Sequence, residues 1–184
     1  LDSYLELFEE KVIENGGAVH WASSGEEACR IILGICQQAD ARLVTKGKSM
    51  VAEEIHLNEA LEKAGLEVVE TDLGEYIIQL ANEMPSHIIA PAMHKTRSQI
   101  SELFHTHHQS LGYVDKTTTR EEIVSEARQV LRDVFVSADV GITGANFLVA
   151  ETGSNVIVTN EGNGDLTSCL PRVQIITAGI EKVI

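Results

Sequence analysis

Two short segments gather basic residues in an otherwise acidic chain, and both have the make-up of an anion site. The first is Thr45-Lys46-Gly47-Lys48-Ser49. A glycine-bearing loop feeding a helix presents free amides and a favourable dipole to an anion, and Lys46 and Lys48 add charge. Gly47-Lys48-Ser49 has the look of a Walker A ending. That motif also needs a glycine five positions before Gly47, where Arg42 stands, so a phosphate-binding loop of that type is excluded. The second segment is His94-Lys95-Thr96-Arg97. A carboxylate or a phosphate suits both.

Two glycine-rich stretches allow a backbone to approach a ligand closely or simply to turn. They are Gly141-Ile142-Thr143-Gly144-Ala145-Asn146 and Asn160-Glu161-Gly162-Asn163-Gly164. Neither has the Gly-x-Gly-x-x-Gly spacing of a dinucleotide fingerprint. Thr143, Gly144, Asn146, Gly162, Asn163 and Gly164 therefore join Lys46, Gly47, Lys48, Ser49, His94 and Lys95 as candidate ligand contacts. Glu151 and Glu161 have the chemistry of a base or nucleophile, although a lone carboxylate is more often solvated. Glu102, His105 and His108 follow one another at helical spacing, part of a metal-ligand set. No converging ligands are evident, so no metal site is expected. Cys29 and Cys36 share a helix face and read as small buried residues, with Cys169 far away. Without Cys-x-x-Cys, no iron–sulfur cluster is expected within these residues. The sparse, odd cysteine set indicates a reducing, cytoplasmic setting.

The elements that must position these residues follow a rhythm. Residues 2–15 carry Leu5, Phe8 and Val12 on one stripe, and Asn15-Gly16-Gly17 stops that helix. Strands are expected at Ala18–Ala22, Arg42–Thr45, Leu66–Thr71 and His87–Ala90. Helices follow each of them, including Met50–Ala64 and one running from Thr96 to about Leu111. Capping boxes open at Ser24, Thr96 and Thr119, and Asp72 with Glu75 makes another cap signal. Such alternation builds a parallel sheet with helices on its faces and right-handed crossovers. Both basic loops then fall at the carboxyl edge of the strands, where open α/β folds bind ligands. After a helix from Thr119 to Ser137 the pattern shortens. Val140–Thr143, Phe147–Ala150 and Asn155–Thr159 read as strands, the last two joined in a hairpin through Glu151-Thr152-Gly153-Ser154. Residues 160–171 read as a loop, and Val173–Ala178 as a last strand. Antiparallel strands are thus expected at the far side of the sheet. The layout is an N-terminal helix over 1–17 and one α/β domain over 18–184. A homodimer through 98–137 is conceivable, but no heptad supports it.

Composition narrows the function. The 184 residues carry 14 basic and 28 acidic side chains, a formal charge of −14. Such a chain suits neither nucleic-acid phosphates nor an anionic membrane surface. Aromatic residues make up 4%, too few for a stacking platform. No apolar stretch is long enough to span a bilayer. The chain opens on Leu1 and ends on an apolar run at Ile184, which reads as a piece of a longer protein.

Two long stretches carry a family resemblance. Residues 46–97, KGKSMVAEEIHLNEALEKAGLEVVETDLGEYIIQLANEMPSHIIAPAMHKTR, resemble the LUD domain of lactate-utilisation proteins. Residues 138–184, ADVGITGANFLVAETGSNVIVTNEGNGDLTSCLPRVQIITAGIEKVI, resemble the same family, above all the iron–sulfur component of a three-part L-lactate oxidation system. The resemblance implies a NagB/RpiA/CoA-transferase-like fold, a Rossmann-type α/β sheet in three layers. It implies ferredoxin-type clusters in a following segment, none in this fragment, and two partner subunits in a cytoplasmic complex oxidising lactate to pyruvate. It places an anion loop at Lys46 to Ser49 and glycine-rich elements at Gly141 to Asn146 and Glu161 to Gly164. In the CoA-transferase branch of that superfamily a glutamate is the nucleophile, and Glu151 would be its counterpart here. Two readings follow. One is a domain for ligand binding and assembly, holding a carboxylate such as lactate or pyruvate on Lys46, Lys48, Lys95 and Ser49. The other is a free-standing transferase or isomerase with Glu151 or Glu161 as base.

Overall fold

The computed structural model describes residues 1–47, 49–87 and 90–184. In chain order the elements are α1 (Asp2–Glu14), α2 (Gly25–Gln38), β1 (Leu43–Lys46), α3 (Met50–Glu54), α4 (Leu57–Lys63), β2 (Glu67–Glu70), α5 (Leu73–Ala81), α6 (Arg97–His108), α7 (Arg120–Ser137), β3 (Val140–Gly144), β4 (Phe147–Val149), β5 (Ser154–Val156), α8 (Asn163–Cys169) and β6 (Val173–Thr177). Strands β1, β2, β3 and β6 form a parallel sheet in the order β2-β1-β3-β6. Strands β4 and β5 pair antiparallel as a separate ribbon.

Alternation along the strands sorts side chains to two faces. Val44, Val68, Val140, Ile142 and Ile175 pack with Ile32 and Cys36 of α2 and Leu57 and Leu61 of α4. On the other side Tyr76 and Ile77 of α5, Phe104 of α6 and Ile123, Leu131 and Phe135 of α7 form a second core, against which Val69 packs. The result is the expected three-layer α/β/α arrangement. Helix α8 lies against β3 because residue 141 is glycine: a Cβ there would collide with the carbonyl oxygen of Thr167.

Helix starts agree with their caps. The Ser24, Asp72, Thr96 and Thr119 side chains each accept a bond from a backbone amide of the first turn. In α6 and α7 the boxes are reciprocal, with Gln99 and Glu122 returning the bond. Thr119→Ala should therefore cost about 1 kcal/mol, read as a lower urea midpoint with an unchanged slope.

Four expectations are corrected. Ala18–Ala22 forms no strand; the run is mostly exposed and tethered to α1 by a 3.1 Å bond from Trp21 Nε1 to Glu9. The helix expected over Met50–Ala64 breaks into α3 and α4 at His56, which is left-handed with φ of 53°. Residues 160–171 contain α8, a seven-residue helix entered through left-handed Gly162. The antiparallel strands form their own ribbon instead of extending the parallel sheet. That ribbon meets the chain end, where Ile184 N donates to Leu148 O and Ala150 N to Ile184 O. Of the strand expected at His87–Ala90, Ile88 and Ile89 lie outside the described residues. Helix α1 docks on the ribbon's turn, where Asn15 Nδ2 donates to Thr152 O at 2.9 Å. Gly153 there has a φ of +65°, and a Cβ would come within 2.6 Å of the α1 backbone. Among the described residues no helix is long and apolar enough to cross a membrane.

Candidate functional site

The parallel register brings two charged residues together at the carboxyl edge. Strand β1 ends on Lys46 and β2 on Glu70, and these two are direct partners across the ladder. Each follows the buried valines of its strand on the same face, so neither reaches solvent. Lys46 Nζ and Glu70 Oε1 lie 2.9 Å apart, with side chains only 2% and 7% exposed. Burying two charges is costly unless geometry and further bonds offset the loss of water. Asn58 of α4 supplies one such bond, from Nδ2 to Glu70 Oε1 at 2.6 Å. Gln79 of α5 clamps the edge of β2, accepting from Glu70 N at 3.0 Å and donating to Val68 O at 2.7 Å. Among the described residues β2 is the edge strand of the sheet, and Gln79 serves its backbone groups.

Glu75, in the first turn of α5, is a further buried carboxyl whose charge is felt by this pair. Burial, with the nearby carboxylates of Glu70, Glu53 and Asp72, pushes its carboxyl up to about 8, against the opposing pull of Lys46. It is therefore mostly neutral at pH 7.

Hydroxyls ring the same strand ends. Ser49 Oγ and Thr177 Oγ1 are 2.8 Å apart, and Thr71 Oγ1 donates to Lys46 O at 2.9 Å and lies 3.2 Å from Thr167 Oγ1. Four buried atoms here lack a partner among the described residues: Glu70 Oε2, Glu75 Oε2, Asn58 Oδ1 and Thr143 Oγ1. An unmade buried hydrogen bond costs about 1–3 kcal/mol, so such a group of orphans marks a place that water or a ligand would satisfy.

The sequence-derived candidates divide. Lys46, Gly47, Ser49 and Thr143 meet at the strand ends, a Cβ on Gly47 lying 3.4 Å from Thr143 Cγ2. Gly144 closes β3, and Gly162, Asn163 and Gly164 open α8. Lys48 lies outside the described residues. His94 and Lys95 are held elsewhere, both on the Glu83 carboxylate just past α5, with the His94 contact at 2.9 Å. Asn146 serves its ribbon, Oδ1 accepting from Val158 N at 2.8 Å. Glu151 and Glu161 are exposed on turns. The histidine group is split: Glu102 pairs with Lys116, while His108 is buried. His108 Nδ1 lies 2.8 Å from Glu126 Oε1 and Nε2 lies 2.8 Å from Tyr76 OH, a polar chain inside the second core.

Two open grooves of about 270 and 620 Å³ flank α6, the larger lined by Arg97, Ser101 and Lys116 among others. Neither includes a residue of the strand-end cluster, whose side chains are buried. Glu70, Glu75, Asn58, Thr71, Thr167 and Thr177 were not among the sequence candidates. One signal was available: LVTK and EVVE are short strands that each end on a charge of opposite sign.

The cysteines do not fit an iron–sulfur cluster. Cys36 is fully buried in the first core, with burial pushing its thiol up to about 11, Cys29 Sγ donates to Ile55 O, and Cys169 is exposed on α8. They do not converge.

Comparison with known proteins gives a consistent picture. The family described as LUD domain matches residues 5–184. Lactate utilization protein B of Bacillus subtilis is 50% identical over 185 residues, covering all of this chain and 38% of that protein. Lactate utilization protein B of Oceanobacillus iheyensis is 50% identical over 184 residues, with the same coverage. The uncharacterized electron transport protein YkgF of Escherichia coli is 49% identical over 183 residues, again covering 38% of that protein. The chain thus spans 38% of the length of these curated relatives. No solved structure matches it.

Proposed function

The chain belongs to the LUD domain family, and from that premise we propose that it is the ligand-binding and assembly domain of an electron-transfer subunit in lactate utilisation. Half of its residues are shared, along its whole length, with proteins named lactate utilization protein B, and a further relative is named as an electron transport protein. In this reading the full protein works with partner subunits in a cytoplasmic complex that oxidises L-lactate to pyruvate. The iron–sulfur chemistry sits outside residues 1–184.

The domain's own part is to bind a small carboxylate at the carboxyl edge of the sheet. The observation that carries this is the Lys46 ammonium held at the strand ends among buried polar atoms that lack partners among the described residues. A 2-hydroxy acid matches such a set. Its carboxylate takes the ammonium and the Thr143 hydroxyl, and its own hydroxyl donates to an orphaned acceptor such as Asn58 Oδ1 or Glu70 Oε2. The cluster's side chains are buried, so entry requires local opening of the fold around it.

Calorimetry with L-lactate and pyruvate at pH 6.5 should show a Kd on the order of 1 mM, as expected of a ligand with so few atoms. Thr143→Val keeps the shape and removes a hydroxyl that has no partner among the described residues. It should leave stability nearly unchanged and weaken binding about tenfold. No heat with either acid would defeat the anion-site reading. Equal binding by wild type and Thr143→Val would move the site away from the strand ends.

A further inference from the structure

We propose that the strand-end site also takes a small 2-amino acid as its zwitterion, with the carboxylate on Lys46 and the ammonium on Glu70 and Asn58. This rests on the anion-site reading above and adds to it a second class of ligand that competes for the same place. The hydrogen-bond inventory states the need. Lys46 Nζ and Asn58 Nδ2 both reach one oxygen of Glu70, Oε1, at 2.9 and 2.6 Å. The other oxygen, Oε2, has no partner among the described residues, and neither has Asn58 Oδ1, the far atom of the same amide. Both are acceptors, and a buried acceptor without a donor is costly. What this corner lacks is a donor. Beside a carboxylate, a cationic donor makes the stronger bond.

Charge points the same way. The Lys46 and Glu70 side chains offset one another, and they are only 2% and 7% exposed. A bare anion adds a net negative charge to a place with little water to screen it. A zwitterion adds none, and its two ends lie head to tail against the pair. Its carboxylate accepts from N–H groups of the Lys46 ammonium that Glu70 Oε1 does not take. Its ammonium donates to Glu70 Oε2 and Asn58 Oδ1. The ion pair stays intact and no proton is transferred. A 2-hydroxy acid brings one neutral O–H in place of that ammonium, so it satisfies one of the two acceptors. With Lys46 and Glu70 this buried, the ligand's side chain must be small, which makes glycine and L-alanine the probes.

The test is calorimetry of the wild-type protein at pH 7.5 with glycine, L-alanine, L-lactate and propionate. L-lactate is then titrated again into protein saturated with L-alanine. L-alanine should bind about tenfold more tightly than L-lactate, propionate should bind most weakly, and saturation with L-alanine should abolish the L-lactate heat. Glu70→Gln removes the negative charge and keeps the shape. It should weaken L-alanine about tenfold or more, while L-lactate binds as well as before or better, because Lys46 is released to it. Opposite responses of the two ligands are a signature that a merely structural role of Glu70 does not give. L-lactate binding without binding of glycine or L-alanine would overturn this inference and leave the anion site standing. Simultaneous binding of L-alanine and L-lactate would overturn it too, by placing the amino acid elsewhere, and so would equal losses of both ligands in Glu70→Gln. No binding by any of the four would take down the site and this inference together. The wild-type affinities and the competition decide the matter even if the variant fails to fold.

Discussion

Lys46→Met is expected to destabilise the protein by about 3–5 kcal/mol, lowering Tm by roughly 10 °C at pH 7.5. The methionine fills similar space, so the loss comes from charge. Without the ammonium, Glu70 remains in a site where it is 7% exposed, with Asn58 the one other donor to its side chain among the described residues. Its carboxyl would then be pushed up by burial, since desolvation disfavours the charged form. A carboxyl raised in the fold adds stability below its unfolded value and loses it as pH rises. The penalty of Lys46→Met should therefore be larger at pH 8 than at pH 5. Adding Glu70→Gln to Lys46→Met removes the stranded charge and keeps an acceptor for Asn58, so the double variant should recover most of the loss. Urea unfolding of the four proteins at two pH values makes the check. Additive effects of the two substitutions would mean that Lys46 and Glu70 do not act as a pair.

The same pair shows what could be read from residues alone. Capping chemistry is local, and the Thr96 and Thr119 boxes hold as read because a hydroxyl, a turn of backbone and a glutamine or glutamate three positions on suffice. The β1 and β2 strands were legible because short apolar runs between capped helices leave little choice. That Lys46, Gly47, Ser49 and Thr143 would meet at the strand ends was legible because the β-to-α loops of a parallel sheet all leave from its carboxyl edge. What pairs with Lys46 was not legible. Glu70 lies 24 residues further on, and only the ladder register, Lys46 against Glu70, sets the two together. His94 and Lys95 fail as companions of Lys46 for the converse reason. Their loop follows residues whose strand character the structure does not describe, and Glu83 holds both. Helix α8 escaped detection because Asn-Gly-Asp at its start has poor helix propensity. Packing against β3 over Gly141 holds the helix in place, and that tertiary contact leaves no periodic mark. Glu102, His105 and His108 at helical spacing read as a polar helix end with no metal site, whereas the helix turns His108 into the core towards Tyr76 and Glu126.

Glu75→Gln should stabilise the protein at alkaline pH and leave it nearly unchanged in acid. The sign follows from where the proton sits. Burial first, then Glu70, Glu53 and Asp72, raise the folded carboxyl from an ordinary 4.5 to about 8. Between those values the native state keeps a proton that the unfolded chain has lost. Stability from the neutral carboxyl is therefore fully present below about pH 4.5, declines as pH rises, and is gone above about 8. Glutamine holds the neutral form at every pH and escapes that decline. The gap between variant and wild type should open from about pH 5 and level off near pH 9, at a size on the order of 3–5 kcal/mol. Differences between the two proteins cancel the titration of every other group, so melts at pH 5, 7 and 9 suffice. Parallel stability curves would show that Glu75 ionises freely in the fold, and the strand-end cluster would then carry a net negative charge at neutral pH.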